Sequence, residues 1–121
     1  MKIRLHEIEL GTSDPKQSKD FYASVLGLEA SVNQEQLTVF DSGTGGLDFN
    51  TSTHLPSKAV LTSFLTDDLE YVIDRLNKQG VQFEGPKQSH LGMKTIEFKD
   101  PDGYAIKVNQ PTEESPDWLK V

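Results

Sequence analysis

The stretch that decides the fold is KTIEFKDPDGYAIKVN, Lys94–Asn109, which is typical of a strand, a tight turn and a second strand. Thr95–Phe98 is rich in β-branched and aromatic residues, which pleated strands prefer. In the turn, Asp100–Gly103, proline fixes φ at the second position and glycine supplies a positive φ. Apolar and polar residues then alternate, so one face of the last strand presents a single cation, Lys107. The opposite face is predicted to enter the core with Tyr104, Ile106 and Val108.

The composition narrows the possible classes of protein. The chain has 121 residues, of which 35% are hydrophobic and 26% charged, as in a foldable globular domain. Its net charge of −7 comes from dispersed acidic residues, which argues against a nucleic-acid partner. The absence of cysteine excludes disulfides and thiolate metal centres. No apolar run approaches the ~20 residues of a membrane span, and no apolar signal segment is present. We therefore expect no membrane partner and a cytoplasmic location.

The order of predicted elements is duplicated within the chain. The first half has a helix that begins at the cap Asp14 and stops at Gly27. The second half has a helix predicted to begin at the cap Asp67 and to stop at Gly80, an offset of 53 residues. In each half one strand precedes the helix and three strands follow it. This internal repeat is the strongest organisational signal in the sequence.

The pattern predicts the following elements. Apolar stripes at helical spacing are expected to face the core with Phe21, Tyr22, Val25 and Leu26 in the first helix and Leu69, Val72, Ile73 and Leu76 in the second. The predicted strands are Ile3–Leu10, Leu28–Asn33, Gln36–Asp41, Gly46–Asn50, Ala59–Leu65, Val81–Glu84, Met93–Phe98 and Tyr104–Asn109. Gly85–Gly92 is predicted to be a polar loop, and Ser42–Gly46 a hairpin turn, because a strand rather than a helix follows it.

The predicted fold class is α+β. Each half alone is too small to bury a stable core, so we expect one domain over residues 1–110, made of modules 1–55 and 58–110. Two βαβββ modules would form a curved, open mixed sheet around a cleft, with the helices on the outside. Residues 111–121 are predicted to be a tail that Trp118 anchors by docking on its own chain or on a second copy.

Several motifs resemble the vicinal oxygen chelate superfamily, the glyoxalase I, bleomycin-resistance and extradiol-dioxygenase group. They are FY-x-x-VLGL at Phe21–Leu28, the helix start at Asp67–Leu69 and the turn DPDGY at Asp100–Tyr104. The resemblance extends to about Gln110 and implies a fold of two βαβββ modules. It also implies that metal-dependent members hold a divalent ion by four side chains, on the first and last strands of each module. Two of these ligands are usually histidine, and two are acidic or glutamine.

The resemblance places the first ligand position seven residues before the helix cap, at Glu7. Strand alternation agrees, because Ile8 and Leu10 then face the helix while Glu7 and Glu9 face the cleft. A register shift of one residue would place His6 there instead. Both alternatives remain open from the sequence.

The other three positions fall on Asp48, Leu61 and Lys107. Leucine cannot bind a metal, and a lysine ammonium repels one. Lys107 could instead pair with Glu7 and Asp48 in a buried charge cluster, or its ammonium could reach solvent. The pocket candidates are Glu7, Asp48, Leu61, Ser63 and Lys107.

These residues allow three functions. The favoured hypothesis is a metal-free protein of the bleomycin-resistance type that binds a small molecule without a cofactor. The alternative is a metal-dependent lyase or dioxygenase with a shifted ligand set, in which His6 or Glu7 joins Asp48 around Ni, Zn, Mn or Fe, with His54 or His90 as further candidate ligands. A third is a metal-free enzyme with Glu7 or Asp48 as general base and Lys107 as electrophile. Relatives of this length and the frequency of symmetric dimers predict a homodimer.

Overall fold

The computed structural model describes every residue from Met1 to Val121. A short 3₁₀ turn at His90–Gly92 accompanies eight strands and two helices. These are β1 Ile3–Gly11, α1 Pro15–Val25, β2 Ala30–Asn33, β3 Leu37–Asp41, β4 Asp48–Ser52, β5 Val60–Thr66, α2 Leu69–Lys78, β6 Glu84–Gln88, β7 Lys94–Lys99 and β8 Ala105–Gln110. Neither helix is long and apolar enough to cross a membrane. The fold class is α+β, as predicted, and both βαβββ modules are present.

The chain divides into two compact units. The first unit is His6–Thr62, and the second combines Met1–Leu5 with Ser63–Val121. The boundaries therefore fall inside β1 and β5, rather than in the connector between the two modules. The C-terminal residues belong to the compact part of the second unit.

In the first unit the strands follow the order β2-β3-β4-β1 in an open mixed sheet. β2, β3 and β4 are antiparallel neighbours, whereas β1 runs parallel to β4. α1 lies on β3 and β4, where Tyr22 packs against the rings of Phe40 and Phe49 at centroid distances of 5.8 and 5.0 Å. Asp14 caps this helix as predicted, because its carboxylate accepts the Gln17 backbone N–H at 3.0 Å.

The apolar stripe predicted for α1 faces solvent instead of the core. Phe21, Val25 and Leu26 are all more than half exposed, and the helix has no buried residue. Only Tyr22 reaches the aromatic cluster on the sheet. The prediction that this stripe enters the core is therefore wrong for three of its four residues.

In the second unit the strands follow the order β5-β8-β7-β6. β8, β7 and β6 are antiparallel, and α2 packs on β8. Here the predicted stripe does form the core, which consists of the buried residues Leu69, Val72, Ile96 and Val108. Ile73, Leu76 and Ile106 pack against its margin. Tyr104, predicted to be core, lies before β8 and is 56% exposed.

Helix α2 begins one residue later than predicted. Its N-cap is Asp68, whose carboxylate accepts the Tyr71 backbone N–H at 3.1 Å. Asp67 has another role, because its carboxylate accepts the Lys2 backbone N–H at 2.7 Å. The two adjacent aspartates are chemically equivalent caps, and only the extension of β5 to Thr66 decides between them.

The sixth strand lies within the segment predicted to be a loop. Val81 donates its N–H to Leu76 at the end of α2, so Val81–Glu84 cannot start the strand as predicted. β6 instead pairs with β7 from Glu84 opposite Glu97, with an irregularity before Lys87. Pro86 is tolerated there because β6 is the edge strand, where a missing N–H leaves no ladder bond unmade.

Candidate functional site

The sheet of the first unit has one face covered by α1 and one face without a helix, which we call the first open face. Ile8 pairs with Phe49, and Phe49 with Phe40, on the covered side. Strand alternation therefore places Glu7 and Glu9 on the opposite side. The residues of β4 that share the first open face are Asp48, Asn50 and Ser52.

The acidic side chains of the first open face are bound by buried neighbours. Asn50 donates from Nδ2 to Glu7 Oε2 at 2.7 Å, and Ser52 donates from Oγ to Glu9 Oε2 at 2.8 Å. Both donors are buried, so each bond is partly shielded from water and helps to hold its carboxylate in one orientation. Asp48 lies opposite Glu7 in the parallel register. The predicted candidates Glu7 and Asp48 are thus neighbours on one face.

His6 lies on the covered side of β1, on the same side as Ile8, and is only 7% exposed. Its Nδ1 is 3.4 Å from Glu7 Oε1. The two side chains are therefore close, although successive residues of a strand point to opposite faces of the sheet. Alternation favours Glu7 over His6 as the residue of the open face. His54 is exposed in the connector after β4, and His90 is exposed in the 3₁₀ turn.

The second unit also has an open face, on the side of its sheet away from α2. Phe64 packs on the α2 core, whereas Leu65 belongs to a separate cluster, so Ser63 and Leu65 face away from α2. Lys107 is half-buried on this second open face, opposite Glu97 in the β7–β8 register, and no salt bridge joins the two. Leu61 precedes Ser63 by two residues on β5 and is buried.

Asn109 is the most enclosed polar residue of the second open face. It is fully buried opposite Thr95, and neither its Oδ1 nor its Nδ2 has a hydrogen-bond partner in the protein. Thr95 satisfies its own hydroxyl by donating to the carbonyls of Ile96 and Val108, both at 3.3 Å. A buried amide without partners costs about 1–3 kcal/mol, so Asn109 favours a water or ligand group beside it.

The C-terminal tail lies over one end of the second open face. Leu119, only 5% exposed, packs with Leu65 and Met93. Trp118, predicted to dock on its own chain or on a second copy, is 69% exposed within this chain, so the first alternative is wrong and the second stays a prediction. Arg4 fixes the tail by donating from Nε and Nη2 to the Lys120 carbonyl at 3.0 and 2.5 Å. Leu119 replaces Trp118 as the anchor because it continues an apolar cluster that is already buried.

Sequence reasoning missed Asn50, Ser52 and Asn109. The signal that could have found them is alternation, because Asp48-x-Asn50-x-Ser52 and Lys107-x-Asn109 place polar residues at every second position of a strand. Such a pattern indicates a polar sheet face, and both segments lie on faces without a helix.

Many solved structures share this fold, three of them as follows, all at low sequence identity. A glyoxalase/bleomycin resistance protein/dioxygenase superfamily member from Vibrio splendidus 12B01 is 22% identical, with a TM-score of 0.68 over 91% of this chain and 100% of that one. Methylmalonyl-CoA epimerase from Mycobacterium tuberculosis is 14% identical, with a TM-score of 0.65 over 91% and 89%. Homoprotocatechuate 2,3-dioxygenase from Brevibacterium fuscum, in complex with 3,4-dihydroxyphenylacetate, is 22% identical, with a TM-score of 0.66 over 90% and 36%.

The family follows from a match along almost the whole sequence. The family model named Glyoxalase matches residues 4–108, from the second residue of β1 to the middle of β8. The match therefore covers both βαβββ modules, including Glu7, Asp48, Leu61 and Lys107. The chain belongs to the Glyoxalase/Bleomycin resistance protein/Dioxygenase superfamily, the vicinal oxygen chelate superfamily.

Proposed function

We propose that this protein binds a small molecule on its open faces and does so without a metal ion. The observation that supports this proposal is a pair of hydrogen bonds on the first open face. Asn50 donates to the Glu7 carboxylate, and Ser52 donates to the Glu9 carboxylate. Because the amide and the hydroxyl each donate a hydrogen bond to a carboxylate oxygen, the polar groups of this surface are held in fixed positions. Such surfaces recognise polar groups of a ligand by position.

At the four positions where metal-dependent members of the superfamily carry metal ligands, the residues of this chain do not suit a divalent ion. Glu7 and Asp48 supply carboxylate oxygens, but Leu61 has no lone pair and Lys107 carries a positive charge. Two carboxylates alone leave a divalent ion short of the ligands that a stable site needs. A ligand with a negatively charged or electron-rich group suits Lys107 better than a metal does.

We expect the purified protein to contain no stoichiometric metal and the Lys107→Glu variant to gain metal affinity. The substitution replaces a repelling cation by an oxygen ligand, so Mn²⁺ or Ni²⁺ should bind about tenfold more tightly than to the wild type. Elemental analysis measures the bound metal, and calorimetric titration measures the affinity.

Lys107→Met is the matched control, because it removes the charge without adding a ligand. It should gain less metal affinity than Lys107→Glu. In the Lys107→Glu variant the new carboxylate lies opposite Glu97, and the repulsion between the two like charges is expected to lower folding stability by about 0.2–1 kcal/mol. One metal ion per wild-type chain would overturn the metal-free proposal. Equal affinities of the three proteins would show that Lys107 does not stand at a ligand position.

A second candidate function is a metal-dependent lyase or dioxygenase with a shifted ligand set. The observation that favours it is the proximity of Glu7 to two further candidate ligands, Asp48 in register and His6 Nδ1 at 3.4 Å. Histidine and carboxylate together suit Ni, Zn, Mn or Fe. This candidate predicts a stoichiometric metal in the wild type that is lost in Asp48→Asn, measured by the same elemental analysis.

We also propose that the chain forms a homodimer. The support is the apolar stripe of α1, because Phe21, Val25 and Leu26 together expose an apolar surface that a second copy could cover. Light scattering should then give twice the chain mass of 13.5 kDa. Phe21→Asp should shift the population towards the single-chain mass, whereas Tyr71→Asp, an exposed aromatic on α2, should not. A wild-type protein of single-chain mass would contradict the proposal.

A further inference from the structure

A cavity of about 270 Å³ lies on the α1 side of the first unit, on the opposite face of the sheet from Glu7 and Asp48. Its walls come from the end of β1, from α1, from β4 and from the connector before β5. The lining residues are Leu10, Gly11, Thr12, Ser18, Tyr22, Thr51, Ser57, Lys58, Ala59 and Val60. The volume lies just below the ~300–1,000 Å³ that is typical of sites for drug-sized ligands, so the cavity suits a smaller molecule.

The charge of this cavity is opposite to that of the chain. The protein carries a net charge of −7, yet no carboxylate lines the cavity and Lys58 contributes a cation. Neither His6–Glu7 nor Asp74–Lys78 involves Lys58, and no other ion pair neutralises it. A lysine without an ion-pair partner favours an anionic ligand, because the ligand can pair with the ammonium without displacing a carboxylate of the protein.

The cavity wall also holds a buried hydroxyl without a partner. Thr51 is 2% exposed, and its Oγ1 makes no hydrogen bond. By contrast, the hydroxyls of Thr12 and Ser18 bond each other at 2.6 Å, and Thr12 Oγ1 also accepts the Asp14 N–H at 3.1 Å. An unsatisfied hydroxyl is unfavourable in the folded state, and an oxyanion placed beside Thr51 would accept its proton.

Part of the remaining wall is apolar, although Thr12, Ser18 and Ser57 also line the cavity, and the backbone at Lys58 is strained. Leu10, Ala59 and Val60 offer a surface for a hydrocarbon body rather than for a fully polar ion such as inorganic phosphate. Lys58 has a φ of 71°, a left-handed conformation that costs a lysine free energy and that glycine would adopt freely. Lysine therefore occupies a position whose backbone conformation glycine would adopt at lower cost.

We propose that this cavity binds a small organic acid, with its carboxylate between Lys58 and the Thr51 hydroxyl and its hydrocarbon body against Leu10 and Val60. The cavity and the first open face lie on opposite faces of one sheet, so this site does not depend on what the open faces bind. No covalent step is involved.

Benzoate and benzamide test the proposal as a matched pair, since they share a ring and differ in the anionic group. Titration of the full-length protein, followed by ¹H–¹⁵N correlation spectra, should show saturable benzoate shifts at the amides of Thr12, Thr51 and Lys58. Benzamide and inorganic phosphate should give no saturable shifts there. Equal binding of benzoate and benzamide would overturn the proposal, and so would benzoate shifts confined to Glu7 and Asp48.

Variants separate the site from a general effect of charge. Lys58→Gln should weaken benzoate binding about tenfold or more, while Lys87→Gln, an exposed lysine of β6, should leave it unchanged. Lys58→Gly should lose binding while its melting temperature equals or exceeds that of the wild type, which excludes misfolding as the cause. Thr51→Val preserves shape and should also weaken binding. Wild-type affinity in Lys58→Gln or Lys58→Gly would overturn the proposal.

Discussion

Replacing Gly11 by alanine is expected to destabilise the protein by about 3 kcal/mol or more. A Cβ atom at this position would lie 1.8 Å from the Pro56 carbonyl oxygen and 2.9 Å from that of Leu55. Both obstacles are backbone atoms, so no side-chain rotation relieves the clash. The connector must move away from the end of β1.

That movement breaks the hydrogen bonds that hold the connector. The Gly11 N–H donates to the Ala59 carbonyl at 2.9 Å, and the Ala59 N–H donates to the Pro56 carbonyl at 3.0 Å. Urea and thermal unfolding should therefore show a melting temperature lower by about 10 °C or more. Gly45→Ala is the matched control, because nothing lies within 4 Å of its added Cβ, and its stability should change by less than about 0.5 kcal/mol. Equal melting temperatures of the two variants would refute the close approach at Gly11.

The core-facing stripe of the helix could be predicted from sequence in the second module but not in the first, and α1 shows why. When the two helices are aligned on their caps, Ser18 and Lys19 fall where α2 has Val72 and Ile73. Two positions of α1 that face the sheet are therefore polar, and of the apolar stripe only Tyr22 reaches the sheet, while Phe21, Val25 and Leu26 are exposed. Periodicity correctly identified both helices, but it cannot tell a core stripe from an apolar surface, because both repeat every 3.6 residues.

The strand faces were predictable because alternation is local, whereas their partners depend on register. Alternation along β1 separates Glu7 and Glu9 from Ile8 and Leu10, as the structure shows. The bonds from Asn50 and Ser52 depend on β4 pairing with β1 in one register out of several. A parallel pairing between distant segments leaves no short-range sequence signal. The roles of Glu7, Asp48, Leu61, Ser63 and Lys107 in binding remain predictions.

The tail provides the second large expected effect. Leu119→Ala should destabilise the protein by about 2–4 kcal/mol, because it empties a buried site beside Leu65 and Met93, both fully buried. The loss has an upper bound, since the tail can detach as a unit and the variant then pays only the free energy of docking. Deletion of residues 111–121 should therefore cost at least as much as Leu119→Ala. Urea unfolding measures both.

Trp118→Ala is the matched control, because it truncates the neighbouring and larger side chain at an exposed position. It should change the free energy of unfolding by less than about 0.5 kcal/mol. Trp118 is the only tryptophan, so the native fluorescence tests the arrangement independently of any variant. An exposed indole should emit at long wavelength and be quenched by acrylamide before unfolding. A blue-shifted emission that acrylamide does not quench would contradict the exposure of Trp118. A larger loss of unfolding free energy in Trp118→Ala than in Leu119→Ala would show that Trp118, not Leu119, anchors the tail.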